Sequence, residues 1–410
     1  MKHNAALYLL LLLNLASCSR SMGPSIMQMP EPSPVVPDIG LQHTYFATED
    51  SLYFYFLLED RRGIMEVQKT ALQLTYKVNP GKEEKEVPIL ADTVKFTARR
   101  VVDVEDGFYT SVVLPGDIVQ APRVLHVQLW QQLGKVERMG SLFQIPLNAA
   151  MLEKQHVLVD ANTNMPVIRK YVTTTSKLKI LSATDSSYSV VEFMGTEFPP
   201  ALPPMSLRPE QQTRTLQVAD SLTVRAGDTI QFEKEGLYLL WPGQPYAQAL
   251  VVQPWSYPDV TMARELISPL IYITTSEERE KLSRAEDPKK AVDIFWQEVG
   301  GNTTTARELI RLFYGRVETA NKLYTSHKAG WATDRGMIHV IFGRPDDIAR
   351  VGSNETWTYG QTRTRPYIKF VFTKKQNNFT ENHYELVRLR DYREVWYSTV
   401  AKWRAGITEI

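Results

Sequence analysis

Apolar and polar positions alternate with a period of two from Leu41 to about Pro146. Leu52 to Leu58 reads as a strand apolar on both faces, while Ala71–Val78, Phe108–Leu114 and Val124–Trp130 alternate. Asn79-Pro80-Gly81-Lys82 and Pro115-Gly116-Asp117 supply turn chemistry between such runs. Short strands at regular spacing predict a β-sandwich of immunoglobulin-like type over 41–147, built without a disulfide. A second, smaller β-sandwich is predicted over 155–254, its clearest strands at Tyr171–Thr174, Lys177–Ile180, Tyr188–Phe193, Leu237–Trp241 and Ala249–Val252. Pro199-Pro200 and Pro203-Pro204 interrupt it and predict a protruding loop.

Beyond Pro254-Trp255-Ser256-Tyr257-Pro258 the period lengthens to that of helices. Thr275 with Glu278 forms a capping box. Asp287 and Pro288 open a further helix that Gly300-Gly301 ends, and Thr305 with Glu308 is expected to cap a third. In that third helix Leu309, Phe313, Val317, Ala320 and Tyr324 share one face. Strands are predicted at Met337–Phe342, Glu355–Tyr359, Tyr367–Thr373 and Tyr384–Leu389, with connections too short for crossover helices. Asp391 and Glu394 then introduce a closing helix. The fold class is therefore multidomain: two all-β immunoglobulin-like sandwich domains followed by an α+β domain with an antiparallel sheet, over 258–410.

A chain of 410 residues exceeds one ordinary core, so two or three domains are expected. Apolar residues at 43% and charged residues at 23% describe a folded body, which confines any disorder to local segments. Lys plus Arg number 47 against 46 Asp plus Glu, so no net field draws the chain to nucleic acid.

The sole cysteine, Cys18, rules out an intramolecular disulfide and a cysteine zinc cluster. It closes a short basic start, an apolar run from Ala5 to Leu15 and the small residues Ala16-Ser17, which is the form of a bacterial lipobox. Residues 1–18 are read as a lipoprotein signal peptide and Cys18 as the acylated mature N-terminus. Each buried methylene of its chains contributes about 0.8 kcal/mol of anchoring. Residues 19–40, with Pro24, Pro30, Pro32, Pro34 and Pro37, read as a semi-stiff tether. Ser19, by resemblance to lipoprotein sorting rules, favours the outer membrane. No acidic cluster resembling a surface-export signal follows Cys18 in Ser19-Arg20-Ser21-Met22, so the body is expected in the periplasm.

Between the helical and β-rich parts of the last domain lies Gly330-Trp331-Ala332-Thr333-Asp334-Arg335-Gly336, running into Met337 and onward to Gly343-Arg344-Pro345-Asp346-Asp347. Glycines bracket an aromatic, a hydroxyl, a carboxylate and a guanidinium, a set suited to pinning a loop by hydrogen bonds. On Gly330, Trp331, Thr333, Asp334, Arg335 and Gly336, and on the later Gly343, Pro345 and Asp346, the chain resembles the GWxTD domain common in lipoproteins of Bacteroidota-type bacteria. Arg344 stands where family members carry a second proline. The resemblance covers the last third of the chain and implies a fold, with no chemistry carried over.

Asp334, Arg335, His339, Arg344, Asp346 and Asp347 could converge as acid/base or metal-binding groups. The structural reading instead has Asp334 capping or bracing the turn with Arg335 as its partner while Trp331 fills the joint between helix and sheet. Asp346-Asp347 after Pro345 also suits a helix N-terminus. The seven histidines are scattered, without His-x-x-x-His spacing, so neither metal nor cofactor is expected. Phosphate loops and a Gly-x-Ser-x-Gly elbow are absent. Thr362–Lys375 is the most basic stretch, able to meet an acidic glycan or peptidoglycan, yet equally a half-exposed strand. The reading is a non-enzymatic, lipid-anchored binding or scaffolding protein whose partners are envelope proteins, in a complex for protein export or outer-membrane assembly. The alternatives are a hydrolase using Asp334 and Asp346, or a carbohydrate-binding accessory marked by an exposed row of aromatics.

Overall fold

A computed structural model describes residues 39–407 apart from 61–71, 82–85, 98–99, 105–106, 134–135, 185–186, 208–215, 361–366, 377–379 and 381. The Cys18 lipobox, the tether up to residue 38, and Arg363 and Arg365 of the basic stretch lie outside the described residues. The described chain is mostly β, in several sheets, with six α-helices gathered towards the C-terminus.

Eight strands come first: β1 (Ile39–Ala47), β2 (Ser51–Asp60), β3 (Leu72–Asn79), β4 (Leu90–Lys95), β5 (Val102–Val104), β6 (Gly107–Pro115), β7 (Arg123–Leu133) and β8 (Val136–Leu147). They form two antiparallel sheets, ordered β1-β2-β6-β5 and β4-β3-β7-β8. Leu52, Phe54 and Phe56 from one sheet and Leu74, Val78 and Leu125 from the other share one buried cluster. The alternation read from the sequence is this inward register.

Eight more strands follow: β9 (His156–Asp160), β10 (Tyr171–Thr173), β11 (Leu178–Ser182), β12 (Tyr188–Met194), β13 (Val218–Arg225), β14 (Thr229–Ile230), β15 (Gly236–Leu240) and β16 (Gln248–Gln253). A five-stranded sheet, β10-β16-β15-β12-β13, shares a core with a three-stranded one, β14-β11-β9. Its β10–β16 pair is parallel, unlike the rest. Residues Tyr171, Leu237 and Val251, on the other face of the larger sheet, pack with Tyr257 and Ala329 of the following region.

The last region contains α1 (Ala263–Ile267), α2 (Ser276–Arg284), α3 (Pro288–Gly300), α4 (Thr303–Tyr324) and α5 (Asp334–Phe342). The meander β17 (Asp347–Val351), β18 (Asn354–Tyr359), β19 (Ile368–Lys374), β20 (Tyr384–Leu386) follows, and then α6 (Tyr392–Arg404). The sheet is antiparallel in chain order, as expected. Thr275 and Glu278 exchange capping-box bonds at 3.2 and 2.8 Å. Asp287 caps α3, which ends at Gly301 with a left-handed φ of 68°. For α4 the cap is Asn302 rather than Thr305, because the Thr305 N–H itself donates to Asn302 Oδ1 at 2.9 Å. Asp391 precedes α6 without a side-chain cap bond.

The largest departure is at Met337–Phe342, expected as a strand and found as the body of α5. All nine residues of α5 are buried. A helix wrapped on every side shows no polar face, so its sequence reads as the continuous β-branched and aromatic run of a buried strand. Asp347 accordingly opens β17 and not a helix.

Candidate functional site

Thr333, not Asp334, caps α5: its Oγ1 accepts from the Gly336 N–H at 3.1 Å and donates to the Gly330 carbonyl at 2.8 Å. Backbone bonds from the Ala332 N–H to the Ala329 carbonyl at 3.0 Å and from the Thr333 N–H to the Gly330 carbonyl at 3.1 Å close Gly330–Ala332 into a single 3-10 turn against α4. Both glycines are dictated by this approach. A Cβ on Gly330 would lie 1.9 Å from the Ala320 carbonyl oxygen, and one on Gly336 would lie 1.8 Å from the Gly330 carbonyl oxygen. No side chain larger than hydrogen fits at either place.

The other signature residues are joined to separate parts of the molecule. The Gly330 N–H donates to Tyr257 Oη at 3.2 Å, and the Tyr257 ring meets Tyr171 of β10 edge-on at 4.8 Å. The Trp331 N–H donates to Asn321 Oδ1 at 3.2 Å, while Asn321 Nδ2 donates to the Pro258 carbonyl at 3.0 Å. Tyr272 Oη donates to the Trp331 carbonyl at 3.2 Å. The Ala332 carbonyl accepts from the Ala201 N–H at 2.8 Å.

Asp334 and Arg335 are both buried and turn to different partners. Asp334 accepts from the Leu386 N–H at 2.7 Å and pairs with Arg388 at 2.6 Å. Arg388 Nη2 also donates to the Leu202 carbonyl at 3.1 Å. Arg335 lies 3.5 Å from Glu355 of β18, donates to the backbone and side-chain oxygens of Asn382, and stacks 4.0 Å from the Tyr384 ring centroid. The expected Asp334–Arg335 pair is thus corrected: each of the two has a partner distant in sequence, and Asn382 in turn donates to the Thr325 carbonyl beyond the end of α4.

The loop around Pro199-Pro200 does not protrude. Ala201 is 3% exposed and belongs to the core of the helical region. Lys328 Nζ donates to the Pro199 carbonyl at 2.8 Å and the Phe198 ring meets His327 at 4.7 Å. Proline pairs hold the backbone extended and remove its donors, so the segment lies as a strap whose carbonyls are taken by cations.

Trp331 is the signature side chain that remains half-buried. Its ring meets Tyr272 at 6.1 Å, and it lines an open cleft of about 470 Å³ with Phe198, Pro200, Ile267 and Ile271. It packs between helices and strap, not between helix and sheet as expected.

At the far end of α5, Gly343 has φ of 79°, and its carbonyl accepts from Tyr359 Oη at 2.9 Å. Arg316 donates to the carbonyls of Val340 and Ile341 at 3.3 and 3.0 Å. His339 is buried with Nδ1 unpartnered, and burial, with Arg316 and Arg344 adding, draws its pKa down to about 3. Pro345 is buried, and the exposed Asp346 accepts from the Gly360 N–H at 2.6 Å. Asp334 begins α5 and Asp346 follows its end, and a nine-residue helix is about 13.5 Å long. The structure does not bring these two carboxylates together. Among the described residues no group of three His, Cys, Asp or Glu side chains is placed to hold a metal.

The family model of the GWxTD domain matches residues 236–405. This is a GWxTD domain-containing chain. Its match starts at β15, so the GWxTD domain includes the two adjacent strands β15 and β16 as well as the helices and the meander. No curated protein matches the chain. The GWxTD signature is thereby assigned a geometry: seven consecutive residues that tie a strap, a linker, α4 and the sheet to one turn.

Sequence reasoning missed Arg388, Tyr257, Asn382, Glu355 and the Ala201-Leu202 strap. Arg388 sits in Val387-Arg388-Leu389-Arg390, an alternation that reads as a wet strand end. Only Tyr257 carried a signal, being set between Pro254 and Pro258 where the period changes.

Proposed function

We propose that the chain is a periplasm-facing outer-membrane lipoprotein that acts as a binding or scaffolding component of a cell-envelope complex for protein export or outer-membrane assembly. In this reading Cys18 carries the anchor, the proline-rich tether sets the reach, and the two β units are immunoglobulin-like sandwiches that act as spacers and contact modules. The observation that carries the non-catalytic half is the engagement of the signature: Asp334 is held by Arg388 and the Leu386 N–H. Both oxygens of this buried carboxylate are engaged inside the protein, by a guanidinium and a backbone N–H, rather than turned towards a substrate. The GWxTD corner is then the joint that fixes the second β unit against the helices, with Trp331 as the docking element at its cleft.

Two measurements test this. Mass spectrometry of the mature protein from its native envelope is expected to show an acylated N-terminal cysteine, and a soluble unacylated form ends the anchoring claim. Crosslinking in intact cells is expected to capture a defined set of envelope proteins, lost when Trp331→Ala is introduced into a chain that still folds. An unchanged set from the folded variant ends the docking claim.

A further inference from the structure

We propose that the outward face of the β1-β2-β6 sheet is a binding platform for a neutral polysaccharide. Side chains on these strands alternate, and the inward set, including Leu52, Phe54 and Phe56, is consumed by the sandwich core. Two rows of the outward set are open across the sheet; the next row, Gln42, Leu57 and Tyr109, closes on a fully buried Leu57, and Glu59 follows beyond it. Phe46 lies opposite Tyr53, which lies opposite Val113, and Thr44 lies opposite Tyr55, which lies opposite Ser111.

All six remain partly open to solvent, Val113 by 50%. None is charged, in a chain where charged residues are 23% of the total. Strand preference for Tyr, Thr and Val accounts for the residue types but not for the missing charge. The second sheet of the same unit is subject to the same preference, and its outward positions include the exposed Lys77 and Lys95. An ordinary solvated sheet face looks like that second one.

The rings are spaced as a platform. Phe46 and Tyr53 have centroids 6.1 Å apart at 41°, and Tyr53 and Tyr55, two residues apart on one strand, are separated by about 7 Å. Burial raises the pKa of the Tyr55 hydroxyl, with Tyr53 adding to it, so the Tyr55 phenol stays a neutral donor. Aromatic faces take the C–H surface of a sugar ring, while the hydroxyls of Tyr53, Tyr55, Thr44 and Ser111 supply its hydrogen bonds. An acidic glycan or a phosphate would call for exposed cations. Among the described residues, the amine bonded to one of these six is that of Lys154, which is buried and donates to Thr44 Oγ1 at 3.2 Å.

The test is affinity electrophoresis of the full chain in gels containing dextran, mannan, laminarin or xyloglucan, with polygalacturonate as the acidic control. At least one neutral gel is expected to retard the protein and polygalacturonate is not. Tyr53→Ala with Tyr55→Ala should weaken retention by about tenfold, and Val113→Glu, which leaves every ring in place at an exposed site, should weaken it too. Circular dichroism confirms that both variants are folded. The proposal is overturned by no retention in any neutral gel, by retention that both folded variants keep, or by equal retention in polygalacturonate. Sedimentation showing a wild-type dimer that the same substitutions dissolve would make the face an interface between copies and overturn it as well.

Discussion

Arg388 grips both oxygens of Asp334, Nη2 to Oδ1 at 2.6 Å and Nη1 to Oδ2 at 3.1 Å, and passes the strap's Leu202 carbonyl a third bond from the same guanidinium. The acidic residue of the signature therefore acts through an arginine more than fifty positions away. Asp334→Asn keeps the shape and removes the buried carboxylate charge that the Arg388 guanidinium grips. It should lower stability by roughly 3–5 kcal/mol, read as a shift in urea midpoint. Asp334→Leu combined with Arg388→Met should cost less than Asp334→Asn alone, since the guanidinium is then removed together with its carboxylate. A double variant as unstable as the sum of its singles would show that the two residues act independently.

Two glycines in this region make opposite predictions. Gly336→Ala places a methyl 1.8 Å from a backbone oxygen that cannot yield, and should cost about 3 kcal/mol or more. Gly315, inside α4, has nothing within 4 Å of a built Cβ. Gly315→Ala should therefore stabilise by up to about 1 kcal/mol through helix propensity. Thermal unfolding of the two variants side by side decides whether the signature glycine is there for packing or for backbone freedom.

His339 and His327 both have pKa values drawn down to about 3, chiefly by burial. Arg316 and Arg344 add to it at His339, as do His383 and Lys328 at His327. Their unfolded value lies near 6.5, so between these limits the unfolded chain binds more protons and stability falls as pH falls. The contribution is complete above about pH 6.5 and is lost progressively towards pH 3. Each histidine adds a slope that approaches roughly 1.4 kcal/mol per pH unit. Urea midpoints at pH 6.5, 6.0 and 5.0, before most carboxylates titrate, should drop for the wild type and drop less steeply for His339→Leu. A parallel drop in both would locate the acid sensitivity elsewhere.

Much of the fold was legible because its strands alternate. β2 from Leu52 to Phe56, β3 from Leu74 to Val78 and β6 from Thr110 to Leu114 bury every second residue, and β7, though buried throughout Val124–Leu129, still alternates apolar and polar side chains from Leu125 to Leu129, a period of two visible in a single sequence. The capping box of α2 and the Asp-Pro start of α3 were legible for a local reason: their bonds span three residues. α5 was misread because it is buried all round, which erases its helical period. The partners of the signature were not legible at all. Asp334 to Arg388 and Ala332 to Ala201 are long-range contacts, and nothing at Arg388 or Ala201 distinguishes them locally from a wet strand end or a proline loop. The motif announced that a tight turn exists but not what it is tied to.

Tyr257 gives the sharpest check on the joint, because it serves both sides of it. Its ring packs on Tyr171 of the five-stranded sheet, and its hydroxyl accepts from the Gly330 N–H and shares a hydrogen bond with Thr325 Oγ1. Tyr257→Phe retains the ring contact and removes only the hydroxyl, leaving the buried Gly330 N–H without an acceptor at a cost of about 1–3 kcal/mol. If the GWxTD corner couples the second β unit to the helices, that loss should also lower cooperativity. Calorimetry should then show the wild-type transition of these two regions broadening or dividing in the variant, and limited proteolysis should begin cutting at the Pro199–Leu202 strap. A single sharp transition at a lower temperature, with the strap still protected, would confine the effect of Tyr257 to the stability of the turn and remove the coupling role.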